Sequence, residues 1–124
     1  HERAAALAAE FNGKRGKVVA ARLEKLCDSC CQIYLNTSSL GMHPNVDASP
    51  FGDAPPKLAP ETLVFDTVYN PMETLLLRRA KEQGCEVIPG LQMFIEQAVR
   101  QFEIFTGESA PRSVMERAAL EALG

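Results

Sequence analysis

The sequence predicts an α/β fold, an open parallel sheet flanked by helices, and three observations carry that prediction. Short apolar or β-branched runs alternate with longer segments of helical periodicity. One run, "TLVFDTVY" at 62–69, is almost continuously apolar, the pattern of a strand covered on both faces. Between it and the next short run, "CEVI", lies a helical stretch of about a dozen residues, the spacing of a right-handed βαβ crossover that pairs its strands in parallel.

The elements follow in order. "ERAAALAAEF" at 2–11 is Ala-rich, with Leu7 and Phe11 four apart, and Asn12-Gly13 ends it. "KVVA" at 17–20 reads as a short strand, "RLEKLCDSCC" at 22–31 as a helix, and "QIYL" at 32–35 as a second strand. The segment 43–60, "HPNVDASPFGDAPPKLAP", holds too many prolines for a long regular element and is either an ordered excursion or a flexible loop. After the strand at 62–69, Asn70-Pro71 opens the helix "METLLLRRAKEQ" and Gly84 closes it. "CEVI" is stopped by Pro89-Gly90, and two helices, 91–106 and about 111–122, finish the chain.

With 124 residues and 46% hydrophobic content, one ordinary core is expected, and the whole of 1–124 reads as one domain or part of one. A formal charge of -3 with dispersed Lys and Arg gives no basic stripe, so no nucleic-acid partner is expected. No apolar run reaches the roughly 18 to 20 residues of a membrane span and no signal peptide is seen; no membrane partner and a cytoplasmic location are expected. The chain opens at His1 inside a helix, so a natural start upstream is expected. "CDSCC" contains a C-x-x-C, but Cys85, His1 and His43 form no spaced second pair. No metal is expected, and Cys27, Cys30 and Cys31 read as small apolar groups on a helix face with Leu23.

In open α/β sheets, ligands collect where loops leave the carboxyl ends of the strands. Asn36, Thr37, Ser38 and Ser39 follow a strand, and Gly41 lets the backbone pass close to a flat or phosphorylated ligand; the same residue types also make ordinary turns. His43 beside Pro44 reads as solvated rather than as a base. Asp66, an acid in an apolar strand, must be hydrogen-bonded, and reads as a tie for neighbouring loop amides before it reads as catalytic. Tyr69 at the carboxyl end of the strand can donate from its phenol to a substrate oxygen, with plain packing as the competitor. In the helix 91–106, Leu91, Phe94, Ile95, Ala98, Phe102 and Phe105 fall in one stripe about 100° wide that can dock on the sheet. Met93 and Gln97 stand one turn apart on a different face, where an amide can meet a carboxylate or hydroxyl; an ordinary surface glutamine is the alternative.

Taken together, "NTSSLGMHPNVDASP", "VFDTVYNPMETLLLRRAKEQGC" and "GLQMFIEQAVRQFEIFTGESAP" closely resemble the carboxyl-terminal part of shikimate dehydrogenases. The resemblance covers nearly the whole chain, and its strongest block is Gly-Leu-x-Met-x-x-x-Gln followed by Phe-x-x-x-Thr-Gly. It implies a Rossmann-like open parallel sheet truncated at its amino-terminal end, that is, a partial dinucleotide-binding domain over 1–124 with carboxyl-terminal helices 91–124. It also implies NADP-dependent reversible reduction of 3-dehydroshikimate to shikimate in aromatic amino-acid biosynthesis.

By that resemblance, Tyr69 and Gln97 match the residues that hold shikimate. Thr67 and Gly90 match positions whose backbone meets the nicotinamide carboxamide, and Met93 lies near that ring. Asn36, Thr37, Ser38 and Ser39 match the loop lining the cofactor cleft. Arg3 matches the last basic residue of an Asn-Arg-Thr-x-x-Arg/Lys stretch that pairs with the adenosine 2′-phosphate, a motif only half present here. The Gly-rich pyrophosphate turn and the amino-terminal domain with the catalytic lysine and aspartate are absent, and Lys14, Lys17, Lys57 and Lys81 have no motif support to replace them.

The chain therefore reads as a carboxyl-terminal fragment of a larger enzyme, of which a fused dehydroquinase and shikimate dehydrogenase is one form. The missing domain or another chain is expected to cover the exposed sheet edge. Two rivals stand beside this reading: an NAD-preferring quinate/shikimate dehydrogenase, against which Arg3 argues, and a non-enzymatic binding module of the same fold, against which Tyr69 and Gln97 argue.

Overall fold

A computed structural model describes residues 2–14, 16–22, 25, 31–53 and 56–123. The elements run α1 (Glu2–Phe11), β1 (Ile33–Asn36), β2 (Leu63–Asp66), α2 (Leu75–Glu82), β3 (Glu86–Ile88), α3 (Gly90–Thr106) and α4 (Arg112–Leu123). The three strands form one parallel sheet in the order β1-β2-β3. Asn36 stands opposite Asp66, and Phe65 opposite Ile88. The expected crossover is therefore present: β2, α2 and β3 form the βαβ unit, and the sheet is flanked by helices.

The core sits on one face of this sheet. Tyr34 and Val64 point into it and meet Leu76, Leu77 and Ala80 of α2, with Val87 packed alongside. The described residues of the proline-bearing segment, 43–53 and 56–60, fit the ordered alternative, because they contribute Phe51 and Leu58 to the same core. Phe51 sits edge-on to Tyr34 at 5.4 Å, the Leu58 amide donates to Gln83 Oε1 at 2.8 Å, and Arg79 Nη1 donates to the Gly52 carbonyl at 2.7 Å. Cys85 is buried in this core as a free thiol. Burial first, and then the negative charge of Glu61, push its pKa up, so it stays a protonated, apolar filler.

Four expectations are corrected. The "KVVA" run is not a strand: residues 17–20 have no ladder partner among the described residues, and Val19 lies exposed. A β-branched run without a neighbour to exchange hydrogen bonds with has no strand to join. The α2 helix begins at Leu75 rather than just after Pro71, because the Thr74 hydroxyl accepts from the Leu77 amide and caps it there. Residues 62–69 are covered fully on one face only: Val64, Asp66 and Val68 are buried, while Leu63, Phe65 and Thr67 are half-buried. On β1 the second face is open, with Ile33 and Leu35 exposed.

The fourth correction concerns the long helix. Ile95 is buried and Leu91, Phe94, Ala98 and Phe102 are half-buried, but Phe105 is 82% exposed. Helix α3 packs chiefly against α4 rather than along the strands, so its last turn has no sheet surface to cover Phe105. Helix α4 folds back on α3 instead, tied by Arg112 to Glu96 across the pair and to Glu116 within α4. The expected helix at 22–31, with Leu23, Cys27 and Cys30, lies outside the described residues except at its margins, Arg22, Lys25 and Cys31.

Candidate functional site

The carboxyl ends of β1 and β2 lie side by side, and the loops leaving them border an open cleft of about 400 Å³. Its walls are Thr37, Ser38 and Ser39 from the first loop and Thr67, Val68 and Tyr69 from the second, with Met42, His43 and Asn70 closing the rim. The structure thus brings together three of the four candidates after β1 with Thr67 and Tyr69. His43 stands exposed on the rim, as expected for a solvated side chain, and its amide donates to the Asn70 carbonyl at 3.0 Å, joining the two loops.

Beneath the cavity is a buried polar network. Asp66 is fully buried: its Oδ1 accepts from Asn36 Nδ2 and from the Val68 amide, each at 3.0 Å, and its Oδ2 accepts from the Thr74 hydroxyl at 2.6 Å. Its role is the tie for loop amides that its place in an apolar strand implied. Asn36 is also buried and satisfied at both ends. Its Oδ1 accepts from the Ser38 amide at 3.0 Å and hydroxyl at 2.7 Å, while Nδ2 also donates to the Leu40 carbonyl at 3.3 Å. Thr67 donates from both amide and hydroxyl to the Asn36 carbonyl at 3.0 Å. Asn36 therefore shapes the loop from beneath, and Thr37, Ser38 and Ser39 form its surface.

Two glycines let the backbones approach. Gly41 turns the loop with φ of +88°, and a side chain there would press on the Ala48 carbonyl at 3.2 Å. Gly90, the first residue of α3, lies against the exit of β2: a Cβ would come within 2.4 Å of the Val68 carbonyl oxygen and 2.5 Å of that of Thr67. This close seat brings α3 beside Tyr69, whose ring stacks on Phe94 with centroids 4.6 Å apart and planes 25° from parallel. Gln97 follows Phe94 by three residues and Met93 precedes Gln97 by four, so the three are neighbours on the helix surface. Met93 is half-buried and Gln97 exposed. Gly90, Met93 and Gln97 stand beside the cavity's Tyr69 side rather than in its lining, and Arg3, exposed on α1, is not part of that lining either.

Sequence reasoning missed Phe94 as the support of Tyr69, having given it to the sheet-docking stripe. It also missed Thr74 as the third partner of Asp66; the signal there was a hydroxyl residue three positions before Leu77, the spacing of an N-cap. Among the described residues, no group of three or more His, Cys, Asp or Glu could hold a metal ion.

The family model of the shikimate 5′-dehydrogenase carboxyl-terminal domain matches residues 90–120. The NADP⁺ shikimate dehydrogenase of Moorella thermoacetica is 42% identical over 112 residues, 90% of this chain and 34% of its own. The chain belongs to the shikimate dehydrogenase family. Solved structures agree in fold. A shikimate dehydrogenase crystallised with NADP⁺ superposes with a TM-score of 0.85 at 36% identity, over 99% of this chain and 44% of that one. A quinate dehydrogenase from Corynebacterium glutamicum, crystallised with NAD, gives 0.82 at 34% identity, over 97% of this chain and 43% of that one. The chain spans about a third of the length of the curated relatives it matches, and as a shikimate dehydrogenase segment it carries the parallel sheet and the two closing helices.

Proposed function

We propose that the polypeptide carrying this segment is an NADP-dependent oxidoreductase that interconverts 3-dehydroshikimate and shikimate in aromatic amino-acid biosynthesis. In this reading residues 1–124 form a partial dinucleotide-binding domain with carboxyl-terminal helices 91–124, and they orient cofactor and substrate. The observation that carries it is a cleft whose walls bring Thr37, Ser38 and Ser39 together with Thr67 and Tyr69. A lining that mixes hydroxyl residues with Met42, Val68 and Tyr69 suits a planar ring with a polar edge, and the volume suits the nicotinamide end of the cofactor with part of a small polyol. When bound, NADP supplies or accepts the hydride.

The chain's own residues bind and orient. Thr37 and Ser39 offer hydroxyl donors and acceptors to the cofactor, on a loop that Asn36 shapes from beneath through Ser38. Thr67, whose amide and hydroxyl donate to the Asn36 carbonyl, is assigned to the nicotinamide carboxamide through its backbone carbonyl. Gly90 and Met93 are assigned to the nicotinamide side. The Tyr69 phenol is assigned to a substrate oxygen, its ring held by Phe94, and the Gln97 amide to a substrate carboxylate or hydroxyl. Arg3 is assigned to the 2′-phosphate, with the motif match as its support. Orientation of two reactants at close range is a large part of such catalysis, and proton transfer is assigned to residues outside these 124.

A cytoplasmic setting fits the free, buried Cys85; no described helix is long and apolar enough to cross a membrane. The second reading, an NAD-preferring quinate/shikimate dehydrogenase, draws on the likeness to the quinate enzyme. Turnover of shikimate and quinate with NADP and NAD by the full-length polypeptide decides between them. The shikimate and NADP pair should be the most efficient; preference for quinate with NAD would install the second reading, and no turnover of any pair would remove both.

A further inference from the structure

We infer that Asp66 is a positioning residue that locks the two walls of the cleft together, so that the cofactor loop and the substrate tyrosine keep one relative geometry. The inference rests on the function proposed above. A carboxylate with no solvent contact makes three hydrogen bonds to three different parts of the chain. Through Asn36 Nδ2 it holds the residue whose own oxygen fixes the Ser38 amide and hydroxyl, hence the first wall. Through the Val68 amide it holds the residue between Thr67 and Tyr69, hence the second wall. Through the Thr74 hydroxyl it reaches the start of α2, which anchors the network in the core.

Both walls hang on one atom, Oδ1, and Oδ2 serves the helix alone. This division separates positioning from stability. Asp66→Asn keeps an acceptor oxygen for Asn36 and Val68 and loses the acceptor for Thr74. Asp66→Ala loses all three. No member of the network need touch a ligand for its removal to blur the cleft, since a misplacement of about 1 Å at the reacting centre costs on the order of a hundredfold.

The test uses the full-length polypeptide with Asp66→Asn, Asp66→Ala and Asn36→Ala, assayed well below each variant's unfolding midpoint and normalised to folded protein. The readouts are NADP dissociation constants by calorimetry, shikimate KM and kcat. Asp66→Ala should weaken NADP and shikimate together, each by about tenfold, the loss expected for a hydrogen-bonded support, and lower kcat as well. Asp66→Asn should stay within about threefold of wild type in all three readouts while unfolding earlier. Asn36→Ala cuts the first wall from the other side and keeps the inference testable if Asp66→Ala does not fold. It should weaken NADP more than shikimate, and combined with Asp66→Ala it should cost less than the product of the two single effects. Lowered stability with wild-type constants per folded molecule would reduce Asp66 to a structural tie and overturn the inference. Loss of one ligand only in Asp66→Ala would overturn it too. A wild-type polypeptide that turns over no shikimate would instead sink the proposed function before any variant is read.

Discussion

Tyr69 was marked in the sequence by its place at the carboxyl end of an apolar strand, with plain packing as the competitor, but what holds it could not be read there. Its support, Phe94, lies 25 positions further on, and only the seat of Gly90 on the Thr67 and Val68 carbonyls brings the two rings together. A methyl group at position 90 would meet backbone, which cannot turn aside as a side chain would. Gly90→Ala should therefore destabilise the full-length protein by about 1–3 kcal/mol, the range for overpacking a tight contact, measured by urea unfolding. It should also raise the shikimate KM, because α3 must lift away from Tyr69. An unchanged midpoint would show that α3 is not seated this closely. Asp66 was legible as a buried acid needing donors, and the Val68 amide two positions on is a local one, yet its other two partners lie 30 residues before it and eight after, and no local pattern joins them.

Helices and strands with strong local signals were legible nearly to the residue, and those that depend on a neighbour were not. Helices α1, α3 and α4 fall where periodicity places them, whereas α2 starts late because Thr74 is held by Asp66 as well as by its own helix. Thr74→Val removes the cap and a donor to a buried carboxylate together, and should lower stability by about 2–3 kcal/mol in denaturant unfolding. A loss below about 0.5 kcal/mol would mean that water replaces the hydroxyl.

The exposed ion pairs behave differently. Arg112 beside Glu96 holds that carboxyl below the usual range, chiefly by its hydrogen bond, and Lys81 does the same for Glu73. Since both folded-state values are depressed, the stabilisation is present above the ordinary glutamate pKa of about 4.3 and is lost as pH falls through the lower folded value. Both pairs are exposed, so the Arg112→Ala midpoint should differ little from wild type at neutral pH, and the small difference should vanish in acid and in high salt. A large difference that persists in acid would show that Arg112 works by packing instead.

For the whole molecule, the parallel pairing of β2 with β3 was legible from the βαβ spacing, while the place of β1 beside β2 and its open face were not, because both depend on what else is present. Ile33 and Leu35 on that face, with Ile104 and Phe105 at the end of α3, leave large apolar side chains in contact with water. The 124 residues alone should therefore self-associate in sedimentation, and should oxidise no shikimate above a buffer blank. A monomer that unfolds cooperatively, or measurable turnover, would contradict this.

The division of the segment into a cofactor side and a substrate side is tested most directly by one matrix of kinetic constants. Shikimate and both nicotinamide cofactors are titrated against Gln97→Ala, Tyr69→Phe and Arg3→Ala in the full-length polypeptide. Gln97→Ala and Tyr69→Phe should raise the shikimate KM and lower catalytic efficiency by several-fold to about a hundredfold, the range for losing one hydrogen bond to a polar or charged partner, with NADP binding nearly unchanged. Arg3→Ala should weaken NADP and spare NAD, since only NADP carries the phosphate that a guanidinium would pair with. If Gln97→Ala and Arg3→Ala instead weakened the same ligand, the two sides would not be separate and the assignment of these residues would be wrong.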